Sequence, residues 1–229
     1  MRPFTSPPTL PHLDVGLVAS YGRGFTGLTW FDRSGYGNDA ALAVAPATWT
    51  IMPQSRKPAL KIELGGYAQA PDAASLDLGT DSFTFAYWLR PDYSAQSDTV
   101  ILSKCSNGVG GVTTGLLLGL EYRKPTLEIR DGSDRNATIA QQTVVDSTWQ
   151  HLAVTRLGTA ISWWINGKSM TVTQPYGTNF GANVDNSSPF RIGWNDYAPR
   201  QYSGQIADLR VYRRALSGAE INELSRDRP

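Results

Sequence analysis

The sequence reads as an all-β protein, a sandwich or barrel with one short helix near its C-terminal end. Three observations carry this. Strand-like runs recur at short spacing from about residue 60, Gly, Asn, Asp and Pro separate them, and no long amphipathic helix interrupts the series.

"FTFAYWLRP" shows the pattern best. Phe83, Phe85, Tyr87 and Leu89 fall on one face, Thr84, Ala86, Trp88 and Arg90 on the other, and Pro91 closes the run, which predicts a half-buried strand. "TVILSK", "GLLLGLEY", "TLEIR", "WQHLAVTR", "ISWWIN", "SMTVT", "FRIGW" and "GQIADLRVY" follow. Between "ISWWIN" and "SMTVT" lies Asn166-Gly167, a two-residue hairpin signal, because both turn positions need positive φ. Adjacent strand residues point to opposite faces, so Ile161, Trp163 and Ile165 predict a core stripe and Trp164 must leave it. In "ALSGAEINEL", Ser217 can cap a first helical turn, Glu220 can reach back to it, and Leu216 can staple onto Ile221.

Of the 229 residues, 21 are Lys or Arg and 20 are Asp or Glu. That balance leaves no strong field to gather nucleic acid or an anionic membrane. No apolar run is long enough to insert into a bilayer. Cys105 is the single cysteine, so packing and not disulfides must stabilise the chain. The N-terminus carries Pro3, Pro7, Pro8 and Pro11 where a secretion signal needs a continuous apolar stretch. Residues 1–13 read as an extended arm and residues 14–229 as one domain. Such an arm holds itself poorly, and Phe4 and Leu10 are the anchors expected to dock it on its own body or on a neighbouring subunit.

"GLVASY", "FDRSGYGNDAAL", "LDLGTDSFTFAYWLRP", "ILSK", "TWQHLAVTR", "ISWWINGK", "FRIGW" and "YSGQIADLRVYRRALSGAEINEL" resemble, in this order, the laminin G-like domains of the concanavalin A-like lectin and glucanase superfamily. The resemblance spans roughly residues 15 to 225. It implies a jelly roll of two curved antiparallel sheets, used for glycan or protein binding and in some relatives for glycoside hydrolysis. It also implies a structural calcium ion, for which Asp32, Asn38, Asp39 and Asp208 are the candidate oxygen ligands. The residue before Asp208 is often acidic in the resembled pattern and is Ala207 here. The competing reading gives Asp32 and Asn38 local turn bonds to backbone.

Catalysis has little support. The superfamily's glucanases place carboxylates two residues apart on one strand face, and no two of the twenty acidic residues stand at that spacing. His12 lies in the arm, and His151 occupies a Trp-x-His stretch that opens a strand in the resembled family, which implies a structural role. Glycine-rich "NGVGGVTTG" opens no helix and lacks the lysine of a phosphate-binding loop.

Two features suit recognition. Trp164 offers a rigid platform for a sugar face or a partner side chain, unless a loop or terminal segment covers it. "GWNDYAPRQY" gathers Trp194, Asn195, Asp196, Tyr197 and Arg200 on a loop between strands. The expected function is therefore a non-catalytic binding module, displayed on a larger assembly such as a phage virion or another extracellular particle. There it would contact a protein shell, neighbouring subunits or surface glycans. A stand-alone lectin is the alternative, and a glycoside hydrolase a distant one.

Overall fold

The computed structural model describes residues 13–22, 24–44, 47–53, 55–63, 65–92, 98–108, 111–132, 134–194 and 201–227, with backbone alone at 44, 107–108 and 111–113. Two antiparallel sheets face each other across one apolar core. The eight-stranded sheet runs Lys168–Met170, Ala160–Ile165, Gln150–Leu157, Phe83–Pro91, Gly204–Tyr212, Pro58–Ile62 and Ala47–Ile51, with Leu17–Tyr21 also paired to Gly204–Tyr212. The ten-stranded sheet runs Val172–Tyr176, Asp134–Ala140, Lys124–Asp131, Gly111–Glu121, Thr99–Gly108, Phe190–Ile192, Tyr67–Ala70, Ala40–Val44, Thr29–Trp30 and Phe25–Thr26.

The core is built from the alternation seen in the sequence. Phe83, Phe85, Tyr87 and Leu89 enter it from one sheet, and Leu116, Leu118, Leu127 and Ile129 from the other. Asn166 and Gly167 both adopt positive φ, 50° and 76°, as the hairpin demands. Trp163 goes inside, fully buried, and its Nε1 donates to Thr138 Oγ1 at 3.2 Å from the opposing sheet. Ser217 caps the helix Gly218–Leu224 with a complete capping box, and Leu216 packs beside Ile221.

The structure departs from the expected pattern in three places. Phe83–Pro91 is buried on both faces and not half-buried. The terminal helix covers Ala86, while Met52, Ala59, Trp149 and Ala207 cover Trp88. "SMTVT" is two strands in different sheets, Lys168–Met170 and Val172–Tyr176, so the chain crosses the sandwich within a run that read as continuous. Short strands also precede residue 60, beginning with Leu17–Tyr21.

Two buried cations tie the same pair of rim loops. Arg156 is fully buried. Its guanidinium donates to the carbonyls of Leu78, Gly79, Asp81, Phe180 and Ala182 and lies over the Phe83 ring at 4.5 Å. Lys104 Nζ pairs with Asp72 at 2.7 Å and Asp77 at 2.9 Å and donates to the carbonyls of Asn186 and Ser188 at 2.5 and 3.2 Å. Both fix the 72–81 segment against the 180–188 segment.

Candidate functional site

Asp32, Asn38 and Asp39 form one hydrogen-bonded loop. Asp32 Oδ1 accepts from the amides of Ser20 and Ser34, both at 2.8 Å, and Oδ2 from Ser34 Oγ at 2.6 Å and the Asn38 amide at 3.0 Å. Asp39 Oδ1 accepts from the Asp32 amide at 2.8 Å. Buried Asn38 donates to the Val18 carbonyl and Ser75 Oγ, and its own carbonyl takes a 2.5 Å bond from Tyr21. Burial, with Asp32 and Asp39 nearby, pushes the Tyr21 hydroxyl's pKa far up, so it stays a donor.

Asp208 is engaged elsewhere. It sits at a bulge in Gly204–Tyr212 with φ 45°, accepts from Arg210 Nε and Nη2 at 3.0 Å each, and pairs with Lys57 at 3.4 Å. Burial alone would raise its pKa, but Arg210 and Lys57 outweigh this and hold it below the usual value. Among the described residues, no group of three or more His, Cys, Asp or Glu could hold a metal ion. Asp32→Ala should therefore cost about 3 kcal/mol, because it orphans several amides at once, and cost the same with or without chelator. A loss abolished by chelator would instead make the carboxylate a metal ligand. Thermal or denaturant melts in calcium and in EDTA measure this.

Trp164 is half-buried, not a free platform. It packs with Ala86, Ala153, Tyr212, Leu216, Ile221 and Leu224, joined by Leu13 and Leu17. The terminal helix receives the second tryptophan because its apolar side needs a partner. Around His151, on the same outer face, Trp88 meets the imidazole edge-on at 5.4 Å.

The other outer face is different. Across the ten-stranded sheet, register aligns Tyr176, Ala137, Glu128, Leu117, Ser103, Arg191 and Gln69 in one row, on the side away from the core. Six interstrand steps make this row about 29 Å long. Ala137, Leu117 and Ser103 form a buried floor, while Arg191 and Gln69 are half-exposed and Tyr176 is 46% exposed.

At the Gln69 end, Tyr67 and Trp194 stack at 5.6 Å with 27° between their planes, both half-buried. Gly193, at φ 95°, turns the chain after Phe190–Ile192, and a Cβ there would strike Ile62. The turn is held by Gly193 N donating to the Ile101 carbonyl at 2.7 Å and Ser103 Oγ to the Trp194 carbonyl at 2.6 Å. At the other end Glu128 Oε1 takes Arg130 Nε at 2.6 Å and Oε2 takes Arg135 Nε at 2.7 Å. Arg135 also lies over the Tyr176 ring at 4.2 Å.

Of the residues marked for recognition in the sequence, Trp194 is therefore on this face. Asn195, Asp196, Tyr197 and Arg200 lie outside the described residues, as do Phe4 and Leu10. Tyr67, Arg130, Arg135, Tyr176 and Arg191 escaped notice. The outward positions 128 and 130 of "TLEIR" carried an alternation signal, but the pairing of Arg130 with Arg135 did not exist until the register was known.

Two antiparallel sheets packed face to face across one apolar core make this a β-sandwich domain. A family profile matches residues 63–222, and the chain belongs to that family, the concanavalin A-like lectin/glucanases superfamily in its laminin G type. Adhesion G-protein coupled receptor V1 of Danio rerio is 26% identical over 151 residues, 62% of this chain but 2% of the receptor. Among solved structures, the binding domain of Paraclostridial Mosquitocidal Protein 1 superposes with a TM-score of 0.73 at 16% identity, over 93% of this chain and 52% of that one. The botulinum neurotoxin serotype C1 binding domain gives 0.67 at 14% identity, over 92% and 51%. A botulinum neurotoxin type C structure, described by its interaction with two ganglioside molecules, gives 0.68 at 14%, over 94% and 52%. The chain thus spans about half the length of these structures. At such identities the likeness is one of fold.

Proposed function

We propose that the chain is a non-catalytic binding module whose ligand, a glycan, lies across the outer face of the ten-stranded sheet. One observation supports this most. The terminal helix with its apolar cluster, and a second apolar cluster around Trp88, cover the eight-stranded sheet's outer face, whereas the opposite face carries Arg191 on the row and, flanking it on either side, the Tyr67–Trp194 stack and the Arg130–Arg135 pair. Rigid aromatic faces with fixed polar groups suit sugars, which present apolar faces edged with hydroxyls.

Hydrolysis is disfavoured by the same geometry. Glu121 and Glu128 both point to this face, but Glu121 stands four residues beyond Leu117, the register partner of Glu128. That is about 14 Å between their backbones, wider than the neighbouring strand positions from which the superfamily's glucanases present their carboxylates. Both oxygens of Glu128 are also committed to guanidiniums.

Titration of the full chain with a panel of oligosaccharides, followed calorimetrically, tests the reading. Trp194→Ala should weaken binding about tenfold or more, and Trp164→Phe, under the helix, should leave it unchanged. Binding that depends on Trp164, or no binding by any glycan, would contradict the proposal.

The setting that goes with it is a larger assembly, such as a virion surface, tied by the proline-rich arm. Supporting this, Leu13 packs against the apolar cluster beneath the terminal helix, on the sheet opposite the ligand face, so attachment and recognition would occupy opposite sides. Deleting residues 1–12 should detach the module from its particle at an unchanged melting temperature. A deletion variant that unfolds, or stays attached, would exclude that role.

A further inference from the structure

Arg130 and Arg135 stand directly opposite each other on the neighbouring strands Lys124–Asp131 and Asp134–Ala140. Like charges so placed repel, and one carboxylate, Glu128, is shared between them. Both contacts use Nε. The Nη nitrogens of each guanidinium are left without a hydrogen-bond partner among the described residues. The side chains are 23% and 28% exposed, so their donors are partly desolvated yet reachable. Tyr176 beneath Arg135 limits that side chain's freedom further. Glu121, on the same face, also acts on Arg135, so it is the fixed planar donor edges of the two guanidiniums, and not a local charge excess, that fit a third partner that is planar or tetrahedral and negative.

We propose that this pair recognises an acid group and that the ligand is an acidic glycan, carrying carboxylate or sulfate. The inference rests on the glycan-binding reading above and names its ligand class. The fork and the Tyr67–Trp194 stack lie on the same outer face, on opposite sides of that row and four to five interstrand steps apart, roughly 20–25 Å, which an extended sugar chain can span and a lone phosphate cannot. With 21 cationic against 20 anionic residues, the chain lacks the charge excess that favours a nucleic acid.

The test compares three hexasaccharides on the full chain by calorimetry: a 1,4-linked galacturonate hexamer, the same hexamer with its carboxyl groups reduced to alcohols, and a sulfated hexamer. At least one acidic hexamer should bind about tenfold or more tighter than the reduced one. Arg130→Gln and Arg135→Gln should each remove that preference, lowering affinity for the acidic hexamer about tenfold more than for the reduced one. Arg135→Lys, which keeps charge and gives up the fork, should remove most of it too, and serves if a glutamine variant folds poorly. Arg213→Gln, on an exposed ion pair with Asp81 away from this face, should not alter it.

Equal affinity for acidic and reduced hexamers would overturn the acid inference alone, while no binding by any of the three would overturn the glycan reading with it. A preference that survives the arginine variants, or falls equally with Arg213→Gln, would remove the fork from the site. A single-stranded oligonucleotide that outcompetes the acidic hexamers through Arg130 and Arg135 would also overturn the assignment. Comparing the uronate and sulfated hexamers shows which acid group the fork takes.

Discussion

Arg156→Met should lower the unfolding free energy by about 3–5 kcal/mol, without changing the denaturant slope. The side chain is buried, and five backbone carbonyls in two loops depend on its donors. Burial draws the guanidinium's pKa down to about 10, even with Asp81 and Asp185 opposing, yet it stays charged at neutral pH. Methionine fills much of the volume and offers no donor, so the carbonyls lose their partners in a site water reaches poorly. Arg156→Lys should recover little, because an ammonium is a compact donor that cannot span five acceptors in a plane. An unfolding free energy within about 1 kcal/mol of wild type would show that the two loops do not need this tie.

Acid should weaken the fold well before the carboxylates titrate. His151 is buried and its Nδ1 has no hydrogen-bond partner among the described residues. Burial lowers its pKa to about 4, Asp208 pulls it upward, and Arg210 pushes it down. The unfolded chain binds this proton near pH 6.5, and the folded chain resists it until about pH 4. The stability that neutral His151 confers is therefore complete above pH 6.5 and lost progressively as the pH falls toward 4, about 3 kcal/mol in all. Asp208, held below the usual carboxylate value, and Glu220, drawn down to about 2 by Arg214 and its capping bonds, contribute losses of the same sign at lower pH. In urea melts, His151→Gln should flatten the slope between pH 6.5 and 4. A slope that persists unchanged would assign the acid sensitivity to other groups.

Local patterns proved readable because their causes are local. Ser217 and Glu220 cap the helix since three residues is the reach of a capping box, and Asn166-Gly167 turns because its φ values are cheap for those residues. What covers a sheet from outside is not a local property. The sequence placed Trp88 and Trp164 away from the core correctly, but Met52, Trp149 and the helix that bury those faces come from distant parts of the chain. The candidate ligand face was hidden for a related reason. Arg191 reaches Ser103 and Gln69 only through sheet register, and Arg130 meets Arg135 only when a hairpin closes between them. Trp194 was visible as an aromatic on a loop; its partner Tyr67, more than a hundred residues earlier, was not.

The most direct measurement is amide chemical-shift mapping on the isotope-labelled full chain as an oligosaccharide that binds is titrated in. The expected perturbations lie on the outer face of the ten-stranded sheet, at Tyr67, Gln69, Arg191, Trp194, Arg130, Arg135 and Tyr176, and leave Trp164 and the helix Gly218–Leu224 still. Shifts confined to that helix, or to the outer face of the eight-stranded sheet, would contradict the placement of the ligand.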